Sequence, residues 1–274
     1  MNKKYKYIKL KNVQIKSIRN NIICRLYINI IFPGKGNSTS FALSLLKSNY
    51  EFSNIGYLYT ESLASSVSYS PDGKNLEFNG SIYYNNKKNI FLLDLTGGVK
   101  SRELNNFTEE LIKFINDNKF KNIYLMGAST KDNVFDEDLI SKIINIYYFS
   151  NDDELKINSD MKNIKDAFKV KDEERKGKKY YEMKLLEGCD TMKRFVQKLI
   201  LEKIKFLLIF GFAGGMFDPF CGLGLYNKIS VLLGLKEKDE KVEREELDNI
   251  GILNNFEKKG IKIDNSWKIL FHLD

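Results

Sequence analysis

The residues from which the commonest catalytic centres are built are scarce in this chain. Among 274 residues there is one histidine, His272, one tryptophan, three prolines and three cysteines. A Ser–His–Asp triad or a multi-histidine zinc site needs histidine set among partners, so neither is expected. The cysteines, Cys24, Cys189 and Cys221, are scattered, with no CxxC pair and no disulfide framework. They are expected to be buried structural thiols in a reducing compartment; a nucleophilic cysteine would want a base nearby, and none is evident. Long apolar runs are missing too. The most apolar stretch, Phe206–Phe217, is 12 residues, against the roughly 20 of a membrane-spanning helix, and reads as a buried strand and turn. The apolar residues near the N-terminus are interrupted by lysine and asparagine, so no signal-peptide core is expected. Acidic side chains are absent before Glu51.

What is present is enough for a large core. Hydrophobic residues make up 43% and aromatics 13%, which excludes wholesale disorder. Surface scaling puts roughly 34,000 Å² out of water on folding. The net charge of +8 is local: residues 1–50 carry ten basic side chains, and the other 224 residues carry 34 basic and 36 acidic groups. A basic segment of this kind suits acidic protein, nucleic acid or anionic lipid, or is simply a solvated lysine-rich edge.

Periodicity predicts alternating strands and helices. Asn21–Phe32 reads as a buried strand, 33–37 as a turn, and Ser38 or Thr39 as the cap of a helix running through Lys47. Asn54–Tyr59 is a second strand. Leu76, Phe78, Ile82 and Tyr84 share one face of a period-two pattern, 85–88 form a turn, and Ile90–Leu95 return as a hairpin. Leu104, Phe107, Leu111, Ile112 and Ile115 make the apolar stripe of a helix starting near Ser101, followed by a strand at 121–127. Helix between strands is the crossover unit of a parallel sheet. Residues 150–179 are charged and poor in apolar side chains, and are expected to be a mobile insertion or a loosely attached helix. Tyr180–Leu185 reads as strand; Met192, Phe195, Val196 and Leu199 as a helix face; Phe206–Phe210 as strand; and Pro219–Leu235 as a buried helix opened by Asp218-Pro219. Lys236–Asp248 holds 11 charged residues in 13, a solvated helix or linker. The expected architecture is one α/β domain over 1–274, a three-layer α/β/α arrangement around a central mixed, largely parallel sheet.

Two glycine patterns invite a phosphate-binding reading. Gly34-Lys35-Gly36 sits between strand and helix, but the third glycine of a GxGxxG pattern would fall at Thr39 and the GK[ST] order is absent. Gly222-Leu223-Gly224 lacks its third glycine as well, so tight turns and close packing are the expected roles. Asp132, Asp136, Glu137 and Asp138 have no EF-hand spacing and read as a solvated loop.

Several blocks, taken in order, resemble the proteasome assembly chaperone 2 (PAC2) family. Gly36-Asn37 within residues 33–49 is similar to the family's strand–glycine turn–helix, and Ile55-Gly56-Tyr57-Leu58-Tyr59-Thr60-Glu61 to its IGY-x-YT-acidic strand end. Residues 76–95, 104–119 and 123–129 follow its hairpin, helix and next strand. Leu186–Phe195 looks like a strand-to-helix junction, and Asp218–Leu235 like a helix with Gly222 and Leu225 in its small and apolar places. Ser266-Trp267-Lys268-Ile269-Leu270-Phe271 resembles the family's ending. The resemblance implies a fold similar to purine nucleoside phosphorylases, no enzymatic activity and no cofactor. It implies a scaffold that pairs with proteasome assembly chaperone 1 and grips the α-subunit ring of the proteasome, in the cytoplasm and secondarily the nucleus, with neither nucleic acid nor membrane as partner. His272, Leu273 and Asp274 occupy the place of a tail that in some members enters a pocket of that ring. Leu273 stands where a tyrosine is usual, which favours docking through the body of the fold. The alternative is a nucleoside- or nucleotide-acting enzyme on a phosphorylase-like fold, motivated by Gly34-Lys35-Gly36; a nucleic-acid-binding protein using residues 1–20 is a third.

Overall fold

The strand with the strongest apolar signal lies in the interior of the sheet. In a computed structural model, Phe206–Ala213 (β12) is buried at every position, as expected of a strand covered on both faces. The structure describes residues 25–30, 38–58, 60–65, 67–69, 76–95, 99–118, 120, 122–130, 146–152, 157, 161–163, 173–175, 178–180, 190–214, 218–237, 249–264 and 267–268. In chain order the remaining elements are β1 (Arg25–Ile30), α1 (Ser38–Asn49), β2 (Ser53–Tyr57), β3 (Val67–Tyr69), β4 (Leu76–Phe78), β5 (Ser81–Asn85), β6 (Ile90–Leu95), α2 (Leu104–Asp117), β7 (Asn122–Thr130), β8 (Ile146–Ser150), β9 (Lys162–Asn163), β10 (Glu173–Arg175), β11 (Lys178–Tyr180), α3 (Asp190–Leu201), α4 (Pro219–Leu232) and α5 (Asn249–Lys258).

Eight strands form one mixed sheet in the order β2-β5-β6-β1-β7-β12-β8-β9. The four in its middle, β6, β1, β7 and β12, are mutually parallel, while β2, β5 and β8 pair antiparallel at the flanks. Side chains alternate across a strand, and those of β12 divide accordingly. Phe206, Leu208, Phe210 and Phe212 join one apolar cluster with Phe107, Leu111 and Ile115 of α2 and with Met192, Phe195 and Leu199 of α3. Leu207, Ile209 and Ala213 join another with Phe41 and Leu45 of α1, Leu225 and Ile229 of α4 and Phe256 of α5. Helices therefore cover both faces. Each fully buried Leu, Ile or Phe contributes about 1.5–3 kcal/mol of transfer free energy, so the stripes on α2 and α3 suffice to hold them down. Helix α4 is apolar nearly all round because it is buried nearly all round,.

The strands expected at 21–32, 121–127 and 206–210 and the helices near 101, 192 and 219 appear with shifted ends; α4, expected to reach Leu235, stops at Leu232. Other expectations are corrected. The period-two run from Leu76 to Tyr84 is two strands, not one: β4 pairs with β3 in a separate ribbon, and β5 joins the main sheet. Gly80, at φ +84, makes the break; a Cβ there would lie 3.0 Å from the Leu58 carbonyl oxygen. Ser81 Oγ fixes the same turn by donating to the Phe78 carbonyl at 2.7 Å. The segment 150–179 is not a loosely attached helix where it is described: β9 extends the main sheet beside β8, Met161 is buried, and β10 pairs antiparallel with β11. Strand β8 and helix α5 were not expected at all. Ser38 begins α1 instead of capping it, and its hydroxyl donates to the Asp218 carbonyl at 2.9 Å. The turn at 33–37, Tyr59, the acidic cluster at 132–138, residues 181–185, Cys24, Cys189, the run 238–248 and the first twenty residues lie outside the described residues. Among the described residues no helix is long and apolar enough to cross a membrane.

Candidate functional site

The IGY-x-YT segment closes the outer strand of the sheet and turns under α2. Ile55 is buried against the α2 cluster. The Gly56 N–H is taken by Asn54 Oδ1 at 3.1 Å, where the pairing with β5 shifts register. That bulge leaves one fewer open donor on an edge strand, a common guard against unwanted strand addition. Tyr57 meets Phe78 of the β3–β4 ribbon at 5.2 Å between ring centroids. Thr60 then donates through Oγ1 to the Glu110 carboxylate of α2, which also accepts from Ser62 Oγ at 3.3 Å. Lys100 completes the corner, with its Nζ donating to the Glu61 carbonyl at 2.7 Å. Ile55, Gly56, Tyr57 and Thr60 thus fix the shape of one corner.

A second junction joins α1 to α4 at the carboxyl ends of the parallel strands, where α/β proteins commonly bind ligands. Here the N-terminus of α4 is already satisfied by its own Asp218: Oδ1 accepts from the Cys221 N–H at 3.0 Å and Oδ2 from the Gly214 N–H at 2.7 Å. A phosphate drawn to that helix dipole would meet a carboxylate instead of open N–H groups. Gly222 is in the helix, not a loop, and lets α4 approach α1: a Cβ would lie 2.8 Å from the Ser38 carbonyl oxygen and 2.9 Å from Phe41 Cδ1. Close packing is therefore its role. Cys221 is a buried cysteine outside any disulfide, as expected.

Trp267 packs edge-on to Phe41 at 5.1 Å, and Phe41 stacks on Phe256 at 6.1 Å. The terminal motif therefore meets the helix that follows Gly36-Asn37, and one aromatic cluster joins α1, α5 and the chain's end. Gly36, Asn37, Tyr59, Ser266, Phe271, His272, Leu273 and Asp274 lie outside the described residues, as does Gly34-Lys35.

Two features had no readable signal in the sequence. Lys47 of α1 reaches Asp94 of β6 with Nζ 3.1 Å from Oδ2, and the same ammonium lies 4.7 Å from the Tyr83 ring centroid. The partners are 47 positions apart, and only the sheet order brings them together. At the end of α3, Leu201 is 53% exposed beside Lys203, whose φ is +54. Among the described residues no group of three or more His, Cys, Asp or Glu side chains is placed to hold a metal ion.

The comparisons with known proteins agree with this frame. Solved structures share the fold, three of them as follows. PbaA of Pyrococcus furiosus, an archaeal homolog of proteasome-assembly chaperone, superposes with a TM-score of 0.55 at 13% identity, covering 79% of each chain. A protein of unknown function from Thermoplasma acidophilum gives 0.55 at 15%, covering 83% of this chain and 84% of its own. A Mycobacterium tuberculosis proteasome-assembly chaperone homologue gives 0.50 at 10%, covering 86% and 93%. No curated protein matches. A family model for PAC2 matches residues 32–179, more than half of the sequence and including the charged segment 150–179; the chain belongs to the PAC2 family.

Proposed function

We propose that this chain is a non-catalytic chaperone for assembly of the proteasome core particle, a single PAC2-like unit that pairs with proteasome assembly chaperone 1 and grips the α-subunit ring. The observation that carries this reading is the family membership over residues 32–179. The arrangement of the described elements is consistent with it. The corner at 55–62 is held together by structural hydrogen bonds, and the first turn of α4 is capped by Asp218. We read the helix-covered sheet as the three-layer, nucleoside-phosphorylase-like plan without its chemistry. Such a protein works by binding an unfinished ring better than a finished one and leaving when later contacts compete. A lasting pair with the partner chaperone would bury on the order of 2,000 Å² or more, in the cytoplasm or nucleus.

Co-purification tests it. Tagged protein should bring down α subunits and a chaperone 1-like chain, without mature regulatory complexes. Recovery of neither overturns the reading. The enzymatic alternative predicts phosphate-dependent cleavage of a purine nucleoside, or a thermal shift with one; a flat response across a nucleoside panel removes it.

A further inference from the structure

Three stretches far apart in the sequence meet at the amino ends of the parallel strands. Register places Arg25, the first residue of β1, between Ile90 of β6 and Asn122 of β7. Neighbouring strands lie about 4.8 Å apart, so the chain enters β1 between the β5–β6 turn, which carries Lys87 and Lys88, and the end of α2, which carries Lys113. Residues 1–25 hold eight basic side chains and no acidic one, and residues 113–121 hold Lys113, Lys119 and Lys121 against Asp117 alone. The ion pairs here are Lys87–Glu51 at 2.9 Å and Lys113–Asp117 at 2.8 Å, with every side chain more than half exposed. Such pairs hold weakly, and both lysines can exchange a carboxylate for a phosphate. Aromatic rings run through the same ground. Tyr84 packs on Phe91 at 4.6 Å between centroids, Phe91 on Phe120 at 5.5 Å, and Phe120 on Phe114 at 5.4 Å. Phe91 is buried; Tyr84, Phe114 and Phe120 are half-buried and reach the surface. The Tyr84 hydroxyl donates to Asn89 Oδ1 at 2.9 Å and the Phe120 N–H to the Ile115 carbonyl at 3.2 Å, which holds the row in place. Asn118 Nδ2 donates to the Phe114 carbonyl at 2.8 Å, so the end of α2 keeps one fewer open acceptor to repel an anion.

We infer that Tyr84, Phe114 and Phe120, with Lys87, Lys88 and Lys113, form a binding surface for single-stranded nucleic acid, with the basic segment before Arg25 adding phosphate contacts beside it. The combination of charge and rings sets the occupant. A nucleic-acid strand carries one phosphate per nucleotide whatever its sequence, and every base has a flat face for an aromatic ring. A duplex hides those faces. An acidic protein would use the lysines and leave the rings without a role, and an anionic bilayer would need side chains free to insert, whereas these rings are fixed against one another. The inference departs from the partners that the family resemblance implies and stands independently of the chaperone reading.

Full-length protein is titrated into fluorescein-labelled oligouridylate and oligothymidylate of about 12 nucleotides, with anisotropy read from about 50 to 200 mM salt. The unaltered chain is expected to bind, with affinity falling about tenfold or more over that range. Lys87→Gln combined with Lys88→Gln is expected to weaken binding and to lower the salt slope by about 1. Phe120→Leu, which keeps an apolar side chain, is expected to weaken binding about tenfold with the slope unchanged. Arg102→Gln, an exposed site at the other end of α2, is expected to change neither. Melting curves establish that each variant is folded, and the exposed lysine pair keeps the test open should Phe120→Leu unfold. Whichever single strand binds tighter supports the surface; a preference for RNA adds a contact to the 2′-hydroxyl. No binding by the unaltered chain overturns the inference. So does unchanged binding by the lysine variant or by a folded Phe120→Leu chain, or a DNA duplex bound as tightly as the single strands. Displacement of the oligonucleotide by polyglutamate or by phosphatidylserine vesicles at equal charge overturns it as well.

Discussion

Replacing Lys47 by methionine isolates the cost of an uncompensated charge inside the fold. Methionine keeps most of the apolar stem and removes only the ammonium. In the native chain that group lies 3.1 Å from Asp94 Oδ2, with the lysine side chain 16% exposed and the aspartate side chain 4% exposed. Asp94 Oδ1 is buried with no hydrogen-bond partner, so the ion pair is the chief compensation the carboxylate has. At this separation the direct attraction is about 5 kcal/mol for an effective dielectric near 20. Breaking one side of a buried pair generally costs about 3–5 kcal/mol, because the remaining charge stays desolvated. Lys47→Met should therefore lose about 3–5 kcal/mol in urea unfolding, with the slope unchanged. Asp94→Asn should lose less, since a freed Lys47 ammonium can reach water along its flexible stem, whereas Asp94 is held on a central strand. The double variant should recover most of the stability, with a coupling of about 2 kcal/mol or more. A Lys47→Met loss below about 1 kcal/mol, or a double variant that simply sums the single losses, refutes the reasoning.

Other substitutions probe the remaining contacts. Gly222→Ala should destabilise by about 1–3 kcal/mol, seen as a lower melting temperature and changed Trp267 fluorescence, because the new methyl meets the Ser38 carbonyl at 2.8 Å and α1 must move. Asp218→Ala removes the acceptor for two N–H groups and should cost about 1–2 kcal/mol in urea unfolding, with Asp218→Asn recovering part of that. Thr60→Val frees Glu110 from one of its two hydroxyl donors; it should lower stability by about 1 kcal/mol and speed amide exchange at 60–65 without affecting exchange in β12.

Much of the fold was legible where one local pattern had one outcome. The stripes Leu104–Ile115 and Met192–Leu199 could only be amphipathic helices, and both are buried as read. Asp218-Pro219 before an apolar run announced a helix start, and Asp218 does cap it. The misreadings came where local pattern had two outcomes. Leu76, Phe78, Ile82 and Tyr84 share one period-two face, yet a turn at Gly80, in the middle of that face, sends its halves to different sheets. The charge-rich 150–179 looked detached, yet Met161 is buried and β9 finds an edge beside β8, since an open strand edge accepts a short partner whatever its polarity. Of the site, Ile55, Gly56, Tyr57, Thr60 and Trp267 were named from the resemblance, but what each touches was not.

The sequence by itself determined which segments had to leave water and which chemistry was scarce, because hydrophobic period and residue inventory are properties of the chain alone. It also carried, over residues 32–179, what a PAC2 family model matches. Only the tertiary structure decided the strand order, the Lys47–Asp94 pair, the filling of the α4 N-terminus by Asp218, and the exposure of Leu201 beside a left-handed Lys203. The physical reason is distance along the chain. Contacts between residues tens of positions apart depend on how whole elements pack, and no local periodicity encodes that choice.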